Sequence, residues 1–229
     1  MIKAVIFDLD NTLLDFKKMK EHGVRAAIGA MIEAGLECDE EKAYEFIFEI
    51  YHQKGWEYQL IFDDFLKYKN GKVNNKLLAA AIVAFAYRRA KEASLLVYPN
   101  VRRTLIHLIK HGIKIAVVSD APSREAWMRI YYLNLHHVFD VVLTFDETQI
   151  HKPSPIPFKM ALKQLNVKSD EAIMVGDWPE RDVVGANQVG IKTIFARYGD
   201  TADIKNSGAD WEVDDIYEVV HIVDELNGV

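Results

Sequence analysis

Cysteine is all but absent from this chain of 229 residues. Cys38 stands alone, so no intrachain disulfide can form. That usage fits a reducing compartment, and the chain reads as cytoplasmic. A basic excess is also lacking: 28 Lys and Arg against 34 Asp and Glu leave a net charge of −6. This argues against a nucleic-acid partner, because contact with a phosphate backbone needs a basic face. No apolar run approaches the roughly 20 residues of a membrane-spanning helix, which argues against a membrane partner. The first apolar stretch has only the length of a strand, is broken by Asp8, and lacks a signal-peptide design. No internal repeat or low-complexity tract occurs. Half of the residues are hydrophobic, which is ample for a packed core. The length suits one large α/β domain, or a core with a smaller second domain.

What is present begins at the first residues. Ile2 to Phe7 is a near-continuous apolar run, the pattern of a strand buried on both faces of a parallel sheet. It ends in Asp8-Leu9-Asp10-Asn11-Thr12. Acids at the carboxyl end of such a strand project into the crevice where open α/β sheets bind ligands. Extended geometry would place Asp8 and Asp10 on the same side of the strand. Two neighbouring carboxylates repel each other, which suggests a cation or a shared proton between them. The plain alternative is a turn with a capping Asp.

The same design recurs downstream. Lys114 to Val118 reads as a strand and is followed by Ser119 and Asp120. Lys152 stands in the Pro-rich turn His151-Lys152-Pro153-Ser154-Pro155, ahead of a helix. Ala172 to Val175 reads as another strand, followed by Gly176-Asp177 and then Asp182. Each element has an ordinary structural reading as cap, turn or helix-start residue. The ordered set, at or just after strand ends, is what points to a site. Gly185 to Thr193 carries glycines and a lysine in the manner of a phosphate loop. It runs from helix to strand, however, and such loops run from strand to helix.

In these motifs the sequence resembles the haloacid dehalogenase-like hydrolase superfamily. Asp8-Leu9-Asp10-Asn11-Thr12 is similar to its DxDxT motif, Ser119 to its second motif, Lys152 to its third, and Gly176-Asp177 with Asp182 to its fourth. The resemblance implies an enzyme, a phosphoric monoester hydrolase of a small phosphorylated metabolite, phosphoglycolate- or triose-phosphate-like, working as monomer or homodimer. It implies Asp8 as nucleophile and Asp10 as acid and then base. Ser119 and Lys152 would join them as catalytic groups, with Thr12, Ser119, Asp120 and Lys152 on the phosphate side. Asp8, Asp10 (through its backbone carbonyl), Asp177 and Asp182 would hold Mg2+, as suits an all-oxygen donor set. Asp10 separates the phosphatase branch from the haloacid dehalogenases, since halide leaves without a proton. A phosphomutase, a phosphonate hydrolase and a non-catalytic phosphate-binding module remain open alternatives on the same core.

Strand-like runs at Ala4–Phe7, Ile113–Val118, Val141–Leu143, Ala172–Val175 and Thr193–Phe195 alternate with helical patterns at Ser123–Leu133, Ile156–Leu165 and Arg181–Gln188. The pattern predicts an α/β fold with a Rossmann-like, doubly wound parallel sheet. A short edge strand at Asp210–Val213 and a final helix near Asp215–Leu226 complete it. Between residues 16 and 96 the spacing is helical throughout. Asp39 is placed to cap a helix with Ala43, Phe46, Ile47 and Ile50 on one face. A later helix, after a break at Asn70-Gly71, carries Leu78, Ile82, Phe85 and Arg89. The expected division is a catalytic core of residues 1–15 and 97–229 with an inserted all-helical cap domain of residues 16–96. The candidate hinges are Asp15–Lys18 and Leu96–Asn100. His52, Lys54, Trp56 and Tyr58 cluster near Gly55, as an interhelical turn or as substrate-facing groups. His107 and His111 stand four apart on a helix, a spacing expected of a solvated face rather than of a metal pair.

Overall fold

In the computed structural model, which describes residues 1–92 and 97–229, six strands form one parallel sheet. They are β1 (Ala4–Phe7), β2 (Lys114–Val118), β3 (Val141–Leu143), β4 (Ala172–Gly176), β5 (Lys192–Ala196) and β6 (Trp211–Val213). Their spatial order is β3-β2-β1-β4-β5-β6, so the chain winds outward from β1 to one side and from β4 to the other. The switch in winding direction lies between β1 and β4, where open α/β sheets form their ligand crevice. Ala4 to Phe7 are fully buried, as the uninterrupted apolar run required. Val5 pairs in register with Ile115 on one side and Ile173 on the other.

The chain divides into two compact units, Met1–Phe16 with Leu96–Val229, and Lys17–Leu95. Residue 96, the last of the expected cap domain and the first of the Leu96–Asn100 link, and the side chain of Arg89, expected on the later helix, fall outside the described residues. In the first unit the sheet is flanked by α5 (Val101–Lys110), α6 (Ser123–Tyr132), the short α7 (Phe145–Thr148), α8 (Pro155–Leu165), α9 (Asp182–Asn187) and α10 (Glu218–Asn227). Ala4, Ile6, Ala116, Val118 and Met174 line one sheet face and pack with Phe158 and Ala161 of α8 and Ala186 of α9. Gly185 lets α9 lie against α8: a methyl group there would meet the Phe158 ring and the Pro153 carbonyl.

Several element boundaries differ from expectation by a single residue, and two differences have an identifiable cause. The last helix starts at Glu218 rather than near Asp215, because the Glu218 carboxylate accepts from the Asp214 and Asp215 amides and holds them in a turn. The edge segment is a parallel sixth strand that begins at Trp211. Asp210 instead turns its carboxylate to the Thr193 amide and hydroxyl.

The second unit is helical: α1 (Phe16–Glu33, whose first residue belongs to the first unit), α2 (Glu40–Lys54), α3 (Ile61–Asn70) and α4 (Asn75–Glu92). Asp39 caps α2 by accepting from the Lys42 amide at 2.9 Å. Ala43, Ile47 and Ile50 join Val24, Ile28, Phe65 and Leu66 in its core, with Phe46 packed against it. On α4 the buried positions are Leu77 and Ala81, with Leu78 and Phe85 leaning on them, and Ile82 is exposed. The expected stripe is therefore rotated by about one residue. No described helix is long and apolar enough to cross a membrane.

Phe158 is fully buried at the junction of β1, β2 and α8. Phe158→Ala is expected to cost about 3–5 kcal/mol, the usual range for emptying an aromatic site in a core. Urea unfolding checks this, and a loss below about 1 kcal/mol would mean that the site collapses freely around the deletion.

Candidate active site

Three strand ends of the sheet and one turn converge. The Asp8 amide still belongs to the sheet ladder, donating to the Val175 carbonyl at 2.9 Å, and Asp8 itself is buried. The chain then turns sharply through Asn11, which takes a left-handed φ of 57°, a conformation Asn adopts more readily than most residues. The loop is held by main-chain atoms. Tyr198 Oη donates to the Thr12 carbonyl at 2.9 Å. Gly199 lies so close to the Asn11 carbonyl that any Cβ would collide with it. Thr12, fully buried, directs Oγ1 to Asp177 Oδ1 at 3.3 Å.

Lys152 is the centre of the arrangement. Its Nζ is 2.5 Å from Asp8 Oδ1, 2.6 Å from Asp182 Oδ1 and 3.1 Å from the Val118 carbonyl. An ammonium has three donors, and all three are used. The backbone of Lys152 is fixed as well, since its amide donates to Asp120 Oδ1 at 2.9 Å. Ser154 then caps α8, and Pro155 occupies its first turn. Asp182 opens α9 and is buried; its second oxygen accepts from the Trp178 amide at 3.1 Å. Gly176 is required beside it, because a methyl group there would overlap the Asp182 carboxylate.

Asp8, Asp177 and Asp182 each bring a carboxylate oxygen to within 4.8 Å of the others, and no other such cluster of three or more acid, His or Cys groups occurs among the described residues. Ser119 is buried at the end of β2, its Oγ accepting from the Ala121 amide at 3.2 Å. Asp120, grouped with the phosphate-side residues on sequence, is instead turned to the Lys152 amide and to Arg181, 3.0 Å away. Asp10 is half-buried, and its Oδ2 accepts from Arg129 Nη1 at 2.7 Å. Arg129 was missed in the sequence. Its signal is a position three after Ala126 and next to Ile130, on the buried face of α6, where an arginine is out of place.

Other candidate side chains have partners within their own units. His107 pairs with Asp224 at 3.2 Å and stacks on His111. Lys54 and Tyr58 both bond Asp64 at 2.6 Å, and Trp56 stacks on Tyr51. These contacts are those of an interhelical turn.

A family model described as haloacid dehalogenase-like hydrolase matches residues 5–196. The chain is 38% identical over 232 residues to a glyceraldehyde 3-phosphate phosphatase of Methanopyrus kandleri, covering 99% of each chain. It is 34% identical to the enzyme of the same name from Pyrococcus furiosus, covering 99% of this chain and 95% of the relative. A solved structure from Thermotoga maritima, described as a beta-phosphoglucomutase, superposes with a TM-score of 0.78 at 22% identity, over 98% of this chain and all of that one. That likeness is one of fold.

The carboxylates are crowded. Burial, with repulsion from Asp182 and Asp10, pushes Asp8 up from 3.8 to about 7, against the pull of Lys152. Burial, with the charges of Asp8 and Asp182, likewise holds Asp177 well above the usual carboxylate range. Burial works against charge on Lys152, but Asp182 and Asp8 outweigh it and raise its pKa. The cluster therefore favours protons or a cation, and its all-oxygen donors suit a hard divalent ion.

A pH dependence follows. An acid whose folded pKa is raised is easier to ionise in the unfolded chain, so its contribution to stability is full below about 3.8 and lost as the pH rises through about 7. Asp8→Asn removes that loss. In chelated protein the variant should gain on the parent by up to about 4 kcal/mol between pH 4 and pH 8, at 1.36 kcal/mol per unit. Urea titrations at several pH values check it; a difference independent of pH would contradict the assigned crowding.

Proposed function

The chain belongs to the haloacid dehalogenase-like hydrolases, and from that footing we propose that it is a Mg2+-dependent phosphatase of a small phosphorylated metabolite, with a triose phosphate such as glyceraldehyde 3-phosphate as the substrate to test first. The observation that carries this reading is the buried Lys152 ammonium, 2.5 Å from Asp8 Oδ1 beside two further carboxylates.

Asp8 is the nucleophile. Its carboxylate oxygen forms a bond to phosphorus as the bond from phosphorus to the ester oxygen breaks, leaving an aspartyl-phosphate and an alkoxide. Asp10 gives the alkoxide its proton. The same carboxylate then takes a proton from water, whose oxygen attacks phosphorus; the Asp8–phosphorus bond breaks and inorganic phosphate departs. Splitting one hard displacement into two is the gain of a covalent route, and one group acting as acid and then base serves both halves.

Asp8, Asp177 and the Asp10 carbonyl would hold Mg2+, which supplies positive charge against the phosphoryl oxygens as charge develops. Asp182 completes the acidic cluster and anchors Lys152. The Lys152 donors are already committed, so a phosphoryl oxygen enters by sharing one of them. Ser119 Oγ accepts from Ala121, which leaves its proton for a phosphoryl oxygen. Thr12 orients Asp177, and Asp120 acts on the phosphate side through the Lys152 main chain.

Phosphate release from glyceraldehyde 3-phosphate and a panel of sugar and glycolate phosphates tests the reading. Turnover should require Mg2+, stop with EDTA and return on adding the metal back. Asp8→Asn should lower turnover by at least about 10⁴-fold, as loss of a catalytic nucleophile does. Asp177→Ala should raise the Mg2+ concentration needed or abolish activity. No metal-dependent release from any ester would mark the chain as a phosphate-binding module instead.

A further inference from the structure

Arg129 is buried to 1% side-chain exposure on α6, a helix whose other buried positions include Ala126 and Ile130. Nη1 donates to Asp10 Oδ2 at 2.7 Å. The guanidinium also lies over the Phe16 ring, with Cζ 4.4 Å from the ring centre, so it is held by an aromatic face as well as by a carboxylate. We propose that Arg129 is the positioning residue for Asp10, holding its carboxyl group in the one orientation from which it reaches first the leaving oxygen and then the attacking water. The inference rests on the phosphatase reading of Asp10.

Stability does not explain this arginine. Moving a guanidinium out of water costs several kcal/mol, and a well-packed apolar side chain in such a place is often neutral or stabilising. The other carboxylates of the site already have fixed partners: Asp8 and Asp182 have Lys152, and Asp177 has Thr12. Asp10 stands in a turn, half-exposed. The terminal torsion of an aspartate is broad, so the backbone turn alone does not fix the direction of the Asp10 carboxyl group. A planar guanidinium fixed by packing sets that direction in a way a flexible ammonium cannot. It also supplies charge where Asp10 and Asp8 repel each other.

The test compares Arg129→Met and Arg129→Lys with two esters. An alkyl phosphate needs its leaving oxygen protonated. 4-Nitrophenyl phosphate does not, because nitrophenolate leaves without help. Hydrolysis of the alkyl ester by Arg129→Met should fall by about 10²-fold or more, the range lost with misplaced acid–base groups, whereas the first release of nitrophenol should stay within about threefold. Water attack on the aspartyl-phosphate still needs Asp10. The variant should therefore show a nitrophenol burst near one per site and accumulate phosphorylated Asp8. Arg129→Lys, which keeps the cation and the fold, should recover part of the alkyl rate.

In an Asp10→Asn background, Arg129→Met should cause no further loss, since residues acting as a unit are not additive. Equal losses on the two esters in the first release of alcohol and of nitrophenol, no burst, or additive losses in the double variant would make Arg129 a structural residue and overturn the inference. Normal turnover by Asp8→Asn would instead remove the phosphatase chemistry, and this inference with it.

Discussion

The buried Lys152 ammonium is the constraint around which the first unit is organised. It draws Asp8 from the end of β1, Asp182 from the start of α9 and the last carbonyl of β2 to a single atom. A buried ion pair is poor value as a stabilising device, because the desolvation of its charges offsets most of their attraction. Its worth is geometric. With all three donors committed, the ammonium fixes the distance between two strand ends and a helix start. One positive charge cannot balance the carboxylates gathered there, and the surplus makes the cluster receptive to a divalent ion and then to an anionic ester.

That constraint is supported by main chain more than by side chain. Asp120 holds the Lys152 amide, Tyr198 holds the Thr12 carbonyl, and the Trp178 amide holds Asp182. Glycines at 176 and 199 let carboxylate and carbonyl approach where a methyl group would not fit. The helical unit is built differently, on its own apolar core. Lys20, buried there, donates to the Trp56 carbonyl at 2.7 Å and lies over the Tyr51 ring.

Much of this was legible before any coordinates. The uninterrupted run before Asp8 specified a strand buried on both faces, and the order of acids, hydroxyl and lysine at strand ends located the cluster. The Asp39 cap was readable because capping chemistry is local. What escaped depends on distant pairing. Nothing near Arg129 in the chain announces Asp10, 119 residues away. The partners of the Asp120 carboxylate, the Lys152 amide and Arg181, are likewise distant in the chain. The start of α10 was missed because Glu218 reaches back to two amides, and Ile82 because a helical stripe read from a few residues is uncertain by one position in rotation.

The close approach of Gly199 to Asn11 has a bearing on how such a chain can change over generations. Residue 11 contributes its backbone to the turn, so drift there is governed by which side chains tolerate a left-handed φ; Gly or Asp would be admissible and a β-branched residue would not. Position 199 has no comparable latitude, since even alanine would strike the carbonyl. Two loops from opposite ends of the sequence are thereby coupled through bare backbone. A lineage could renew most of the surface around the acidic cluster while that single contact, invisible to any comparison of side-chain chemistry, stayed closed to variation.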